Sequence, residues 1–261
     1  MMVDWTAIQN VQDYLKWLSA SREQPYQRSL DEARRVISDI DLDQASRRSG
    51  AIYKPLPDNS GRGVFILPFL GQDYIIGYPG FKIVAAKTRR EPSVYRQVIL
   101  LHYLATVDDA HVPLGFVNLS GLPHGRPYQH ALQKGVLEPL AHAYANDLNL
   151  FRLAAQRLGG RPLEVQGHKG LTFSFWPLPR LPMGLSVTPG DDELGAQAHL
   201  LVDLNAEKWL PIYDTAIVGR LLCQTLLRLR SSSGRAVGLT DVTTQDDGAL
   251  YGSAIDPEHK S

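Results

Sequence analysis

Apolar positions in the first fifty residues recur at helical spacing. Ile8, Val11, Leu15 and Leu18 form one stripe, and Leu30, Ala33, Val36, Ile37 and Ile40 form a second over about residues 28–46. Arg34, Arg35, Asp39 and Asp41 take the other side of that second helix, as a solvated face would. The pattern changes near residue 60. Val64–Leu70, Tyr74–Tyr78 and Phe81–Ala85 are short apolar runs separated by Gly71-Gln72-Asp73 and Pro79-Gly80. Brief β-prone runs broken by tight Gly and Pro turns predict an antiparallel meander.

Glu91-Pro92 opens a helix that is apolar almost all round, so it is expected to lie buried against the sheet. Further on, Gly115–Leu119 reads as a strand, and Tyr128–Asp147 and Leu150–Leu158 as two helices, the second ended by Gly159-Gly160. Leu171–Trp176, Leu185–Val187 and His199–Leu204 return to strand, and Asp214 to about Arg230 forms a last helix. Strands mixed irregularly with helices predict an α+β fold, with a mostly antiparallel sheet packed by helices. The expected organisation is a helical N-terminal extension over residues 1–50, an α+β core over 51–230 and a flexible, Ser-, Gly- and Thr-rich tail over 231–261.

Composition narrows the function classes. The 27 basic and 27 acidic residues balance, so no net field favours nucleic acid or an anionic membrane. Cys223 is the single cysteine, which excludes an intrachain disulfide and any cysteine-only metal cluster. The N-terminus lacks the pattern of a signal peptide, and no apolar run approaches the roughly 20 residues that span a bilayer. A cytoplasmic protein is the expectation. Phosphate-loop, dinucleotide-turn, serine-elbow and zinc-helix patterns are absent from the sequence, so the common chemistries they mark are not expected.

The chemistry that remains centres on Arg96-Gln97-Val98-Ile99-Leu100-Leu101-His102-Tyr103-Leu104, which sets one imidazole in a strongly apolar segment. Burying that ring costs free energy without a partner. His102 shares a helical face with Val98 and Ala105, which points to the interior. Three roles stay open: a structural histidine bonded to a carbonyl or carboxylate, a ligand to a metal or tetrapyrrole-type cofactor, or a general base. Asp203 and Asp214 are the two acceptors considered for its second nitrogen.

Several motifs stand in an order that resembles a known family. They are Val98–Leu104, Gly159-Gly160, Leu178-Pro179-Arg180-Leu181-Pro182, Gly190-Asp191-Asp192-Glu193, Asp203 and Leu210–Asp214. Together they resemble the bacterial family called domain of unknown function 3786, over about residues 60–230. Some members look as though they carry a cysteine cluster suited to an iron–sulfur centre, which this chain, with Cys223 alone, does not supply. It also has Leu194-Gly195 where the resemblance implies an aromatic and a proline, and Tyr213-Asp214 where it implies an acidic pair. The His102-Tyr103 pair is intact and is the candidate cofactor-binding site.

Other candidates are weaker. Asp191, Asp192 and Glu193 offer three carboxylates for a hard cation, or simply a hydrated hairpin turn. Lys87-Thr88-Arg89-Arg90 is the densest basic patch and offers a corner for an anion. His124 and His130 flank Arg126 in a loop, and Cys223 reads as a small buried hydrophobe. The function expected first is an accessory or binding module that holds a metal or tetrapyrrole-type cofactor, or a partner carrying one. The alternatives are a structural or regulatory interaction subunit docking a protein through residues 1–50, and a hydrolase- or lyase-type enzyme using scattered histidines and carboxylates.

Overall fold

The computed structural model describes residues 24–58, 60–164, 169–190 and 194–231. The expected stripe at Ile8–Leu18, the cluster Asp191-Asp192-Glu193 and the tail from 232 onward lie outside the described residues. The fold is α+β. Its strands divide into two antiparallel sheets rather than one.

The helical zone begins with α1 (Gln24–Ile37) and α2 (Leu42–Ser49). The expected helix over 28–46 is therefore broken, and Asp41 is the reason. Its carboxylate accepts from Gln44 N at 2.8 Å and caps a new helix, which Gly50 then ends at φ +71°. Leu30, Ala33 and Ile37 bury one face of α1, while Val36 stays 58% exposed.

The meander forms as expected, with one strand added at its edge. β1 (Ile52–Pro55), β2 (Gly63–Phe69), β3 (Gln72–Tyr78) and β4 (Ile83–Ala85) pair in chain order. Alternate residues of β2 are buried, so one face of this sheet meets the core. α3 (Val94–Thr106) follows, three residues after Glu91, and is buried along most of its length. α1 and α2 pack on it.

The second sheet has the order β5-β9-β8-β7-β6. Its strands are β5 (Phe116–Asn118), β6 (Arg161–Pro162), β7 (Leu171–Leu178), β8 (Leu181–Thr188) and β9 (Gln197–Asp203). The two sheets are joined where Leu70 N donates to Pro177 O at 2.9 Å. Between β5 and β6, the single helix expected over Tyr128–Asp147 is α4 (Arg126–Leu132), a wide π-type turn at Gln133–Leu137, and α5 (Glu138–Tyr144). Pro139 has no N–H to return to the preceding turn, and the wider turn absorbs that loss. α6 (Leu148–Arg157) starts on an Asp147 cap.

The last helix, α7 (Ile212–Ser231), is buried on nearly every side. Gly219 lets it lie close over β9, since a Cβ there would come within 2.2 Å of Leu200 Cδ2. The Tyr144 hydroxyl donates to Leu226 O at 2.5 Å and ties α5 to the same helix. Among the described residues, no helix is long and apolar enough to cross a membrane.

Candidate functional site

His102 stands in the third turn of α3, and its ring reaches the surface instead of the interior. The side chain is 29% exposed, and Asp214 of α7 meets its Nδ1 edge. Nδ1 lies 2.6 Å from Oδ2 of Asp214, whose own side chain is only 3% exposed. Asp214 is in the first turn of α7, where the helix dipole favours a carboxylate. Thr106 links the same elements, donating to His102 O at 2.9 Å and to Trp209 O at 3.4 Å.

Burial disfavours a charged imidazole, but the hydrogen bond and negative charge of Asp214 together outweigh it. The pKa of His102 is therefore held above the ordinary histidine value. Nε2 has no hydrogen-bond partner among the described residues. The dyad thus consists of a buried carboxylate, an oriented ring and one nitrogen, Nε2, without a partner among the described residues.

Tyr103 projects from the other side of α3 and is fully buried. Its hydroxyl donates to Ser49 O at 3.0 Å and accepts from Arg180 N at 2.9 Å. Burial raises its pKa well above the usual tyrosine range. The side chain is a strut that pins the end of α2 and the β7–β8 turn to α3. His102 and Tyr103 are neighbours in sequence that the helix sends to different places.

Of the two acceptors considered for His102, Asp214 is the one that reaches it. Asp203 instead accepts from the backbone N–H groups of Leu114, Gly115 and Asn205 at 2.8–3.2 Å, closing the chain around β9. The basic patch folds back on β4, with Arg89 N bonded to Ala85 O at 2.9 Å. Three residues lie between Arg89 and Ser93, so the patch does not sit in the first turn of α3. His130 lies in α4 and His124 in the loop before it at φ +58°. Among the described residues, no three His, Cys, Asp or Glu side chains gather as a metal cage. Cys223 is fully buried, and burial pushes its thiol up to about 12, which leaves little thiolate.

Polar residues in the interior were missed by the sequence reading. Arg96 is 3% exposed, donates to the Tyr74 hydroxyl at 3.3 Å and lies over the Phe69 ring. Gln224 is fully buried in α7, and partly buried Arg228 follows one turn later. The available signal was polar side chains set among leucines on faces that otherwise read as core. Two open grooves of about 450 and 460 Å³ flank β6 and β7, one of them holding Arg161 over the Trp176 ring. Neither reaches His102.

The chain belongs to the family described as Domain of unknown function (DUF3786), which matches residues 41–225. No curated protein and no solved structure matches it. The matched span contains both members of the dyad and begins at Asp41, the residue that caps α2.

Proposed function

We propose that this chain is a binding module in which His102 ligates a metal carried by a cofactor or by a partner protein. The observation behind this reading is the 2.6 Å contact between Nδ1 and a carboxylate that is 3% exposed. When the ring is neutral, that contact keeps the proton on Nδ1 and directs the lone pair to Nε2. Ligating histidines use the same arrangement, with the outer acceptor fixing tautomer and ring orientation. A single imidazole on an open surface suits a metal whose other positions are filled by a macrocycle or by a partner's ligands. Tyr103 stands outside this site and braces the helix that carries His102.

The test is an absorbance spectrum with metal analysis on protein purified from its own source without oxygen. The expected result is a tetrapyrrole-type band or a near-stoichiometric metal. His102→Ala should abolish it with the far-UV circular dichroism unchanged, and Asp214→Asn should weaken binding by about 10–100-fold. A colourless, metal-free protein that also develops no band with added haem or cobalamin overturns the reading. The raised pKa favours a second use of the same nitrogen, as a general base. That use requires turnover that His102→Ala removes without any metal or band being present.

A further inference from the structure

An open groove of about 450 Å³ lies at the seam between the two sheets, where Leu70 N donates to Pro177 O. None of its lining residues belongs to α3 or α7. Its volume falls in the range of about 300–1,000 Å³ that small organic ligands occupy.

Departures from regular structure build it. β7 pairs with β8 in one register through Phe175 and Met183, and in another at Leu178 and Leu181. The bulge between them takes up Trp176 and Pro177. Pro177 O turns to Leu70 in the other sheet, and Trp176 is left 48% exposed. Across the groove, Gly159 ends α6 at φ +77°. Gly160 then passes so close to β7 that a Cβ there would meet the Phe175 ring at 2.6 Å. The glycine pair sets Arg161 beside the bulge, with its guanidinium 5.6 Å from the centre of the Trp176 ring.

Arg161 carries the one charge among the lining residues, and the others are apolar side chains or glycine. No acceptor among the described residues takes a hydrogen bond from its guanidinium. The indole steadies the cation without using its N–H fork.

We propose that this groove binds a small aromatic carboxylate. The carboxylate accepts the forked N–H pair of Arg161, and the ring covers the exposed indole, with Pro68 and Leu158 alongside. One cation in an otherwise apolar lining matches one negative charge. A phosphate monoester, close to doubly charged at neutral pH, would bring a second charge that no lining residue meets. The flat ring suits the indole and proline faces, and the open groove suits a short body rather than a long chain. The site is separate from His102, and its test does not depend on a bound metal.

The experiment is isothermal titration of the full chain at neutral pH with 2-naphthoate and with its uncharged isostere, 2-naphthamide. The expected result is saturable one-to-one binding of naphthoate, at least about tenfold tighter than the amide, as a charge-assisted pair supplies. Arg161→Gln should weaken naphthoate by about tenfold or more and abolish its preference over the amide. Arg161→Lys keeps the charge but not the fork and should fall between wild type and Arg161→Gln. Trp176→Ala should weaken both probes. Both side chains are exposed, so these variants should keep the wild-type circular dichroism and melting temperature. His102→Ala should bind naphthoate as wild type does. Equal affinity for the two probes would overturn the proposal, as would unchanged naphthoate binding in Arg161→Gln or binding that never saturates. Self-association that depends on Arg161 and that naphthoate fails to displace would assign the groove to a second copy of the chain, and so overturn it too.

Discussion

The two ends of α3 pose opposite electrostatic problems against α7. At the surface end, a carboxylate that is 3% exposed faces an imidazole that is 29% exposed, and each satisfies the other. At the interior end, Arg228 is pushed down to about 10, first by its burial and then by the charge of Arg96. The first contact needs nothing more to be stable, and it leaves one nitrogen for chemistry. Complementary groups near water are therefore read as a prepared reactive edge, and a like-charge pairing as a cost that packing has to offset.

The largest effect should come from the interior end. Arg96→Ala removes a buried side chain that touches Tyr74 and Phe69. It should cost about 3 kcal/mol in urea unfolding, mostly through the cavity it leaves. A loss under about 1 kcal/mol would mean that charge relief between the arginines nearly cancels the lost packing, which would strengthen the contrast drawn above. Asp214→Ala should cost about 2 kcal/mol at pH 6, because it strips a charge-assisted hydrogen bond from the surface end.

Tyr103→Phe should cost about 1–2 kcal/mol, since Ser49 O and Arg180 N both lose a buried partner. It should leave any cofactor band of the purified protein in place, which separates the strut from the dyad. The smallest effect is the pH dependence of the dyad. The folded-state pKa of His102 is raised, so the folded state binds its proton more tightly than the unfolded chain does. The charge-dependent part of this stabilisation is complete below the ordinary histidine value of about 6.5. It disappears as pH rises through the folded value. Wild-type stability should decline across that window relative to Asp214→Asn, in which the decline is absent. Parallel pH profiles would show that the pair does not couple to folding.

Much of the fold was legible because each element carries its own signal. The meander was read from Gly71 and Pro79-Gly80 between short apolar runs, and it pairs in that order. The largely exposed edge strand β1 and the two-residue strand β6 escaped, since neither is long enough or alternates clearly enough to show a period. The break at Asp41 was visible as a capping residue, but the apolar stripe running across it hid the boundary. At the site, His102 was legible as a polar ring in an apolar helix. Which way it points was not. Sharing a face with Val98 suggested the interior, whereas the side chain stays 29% exposed.

What the sequence determined by itself was local: periodicity, turn chemistry, the single cysteine and the presence of one imidazole where a partner is required. Those properties depend on neighbours a few residues apart, so a linear reading reaches them. The tertiary structure alone decided that Asp214 serves His102 while Asp203 closes a backbone loop around β9. It also decided that Tyr103 is a strut, and that Arg96 lies buried against Tyr74 and Phe69. The pairing of His102 with Asp214 spans 112 residues. Contacts of that range are set by how sheets and helices stack to bury apolar area, and the spacing of residues along the chain does not encode them directly.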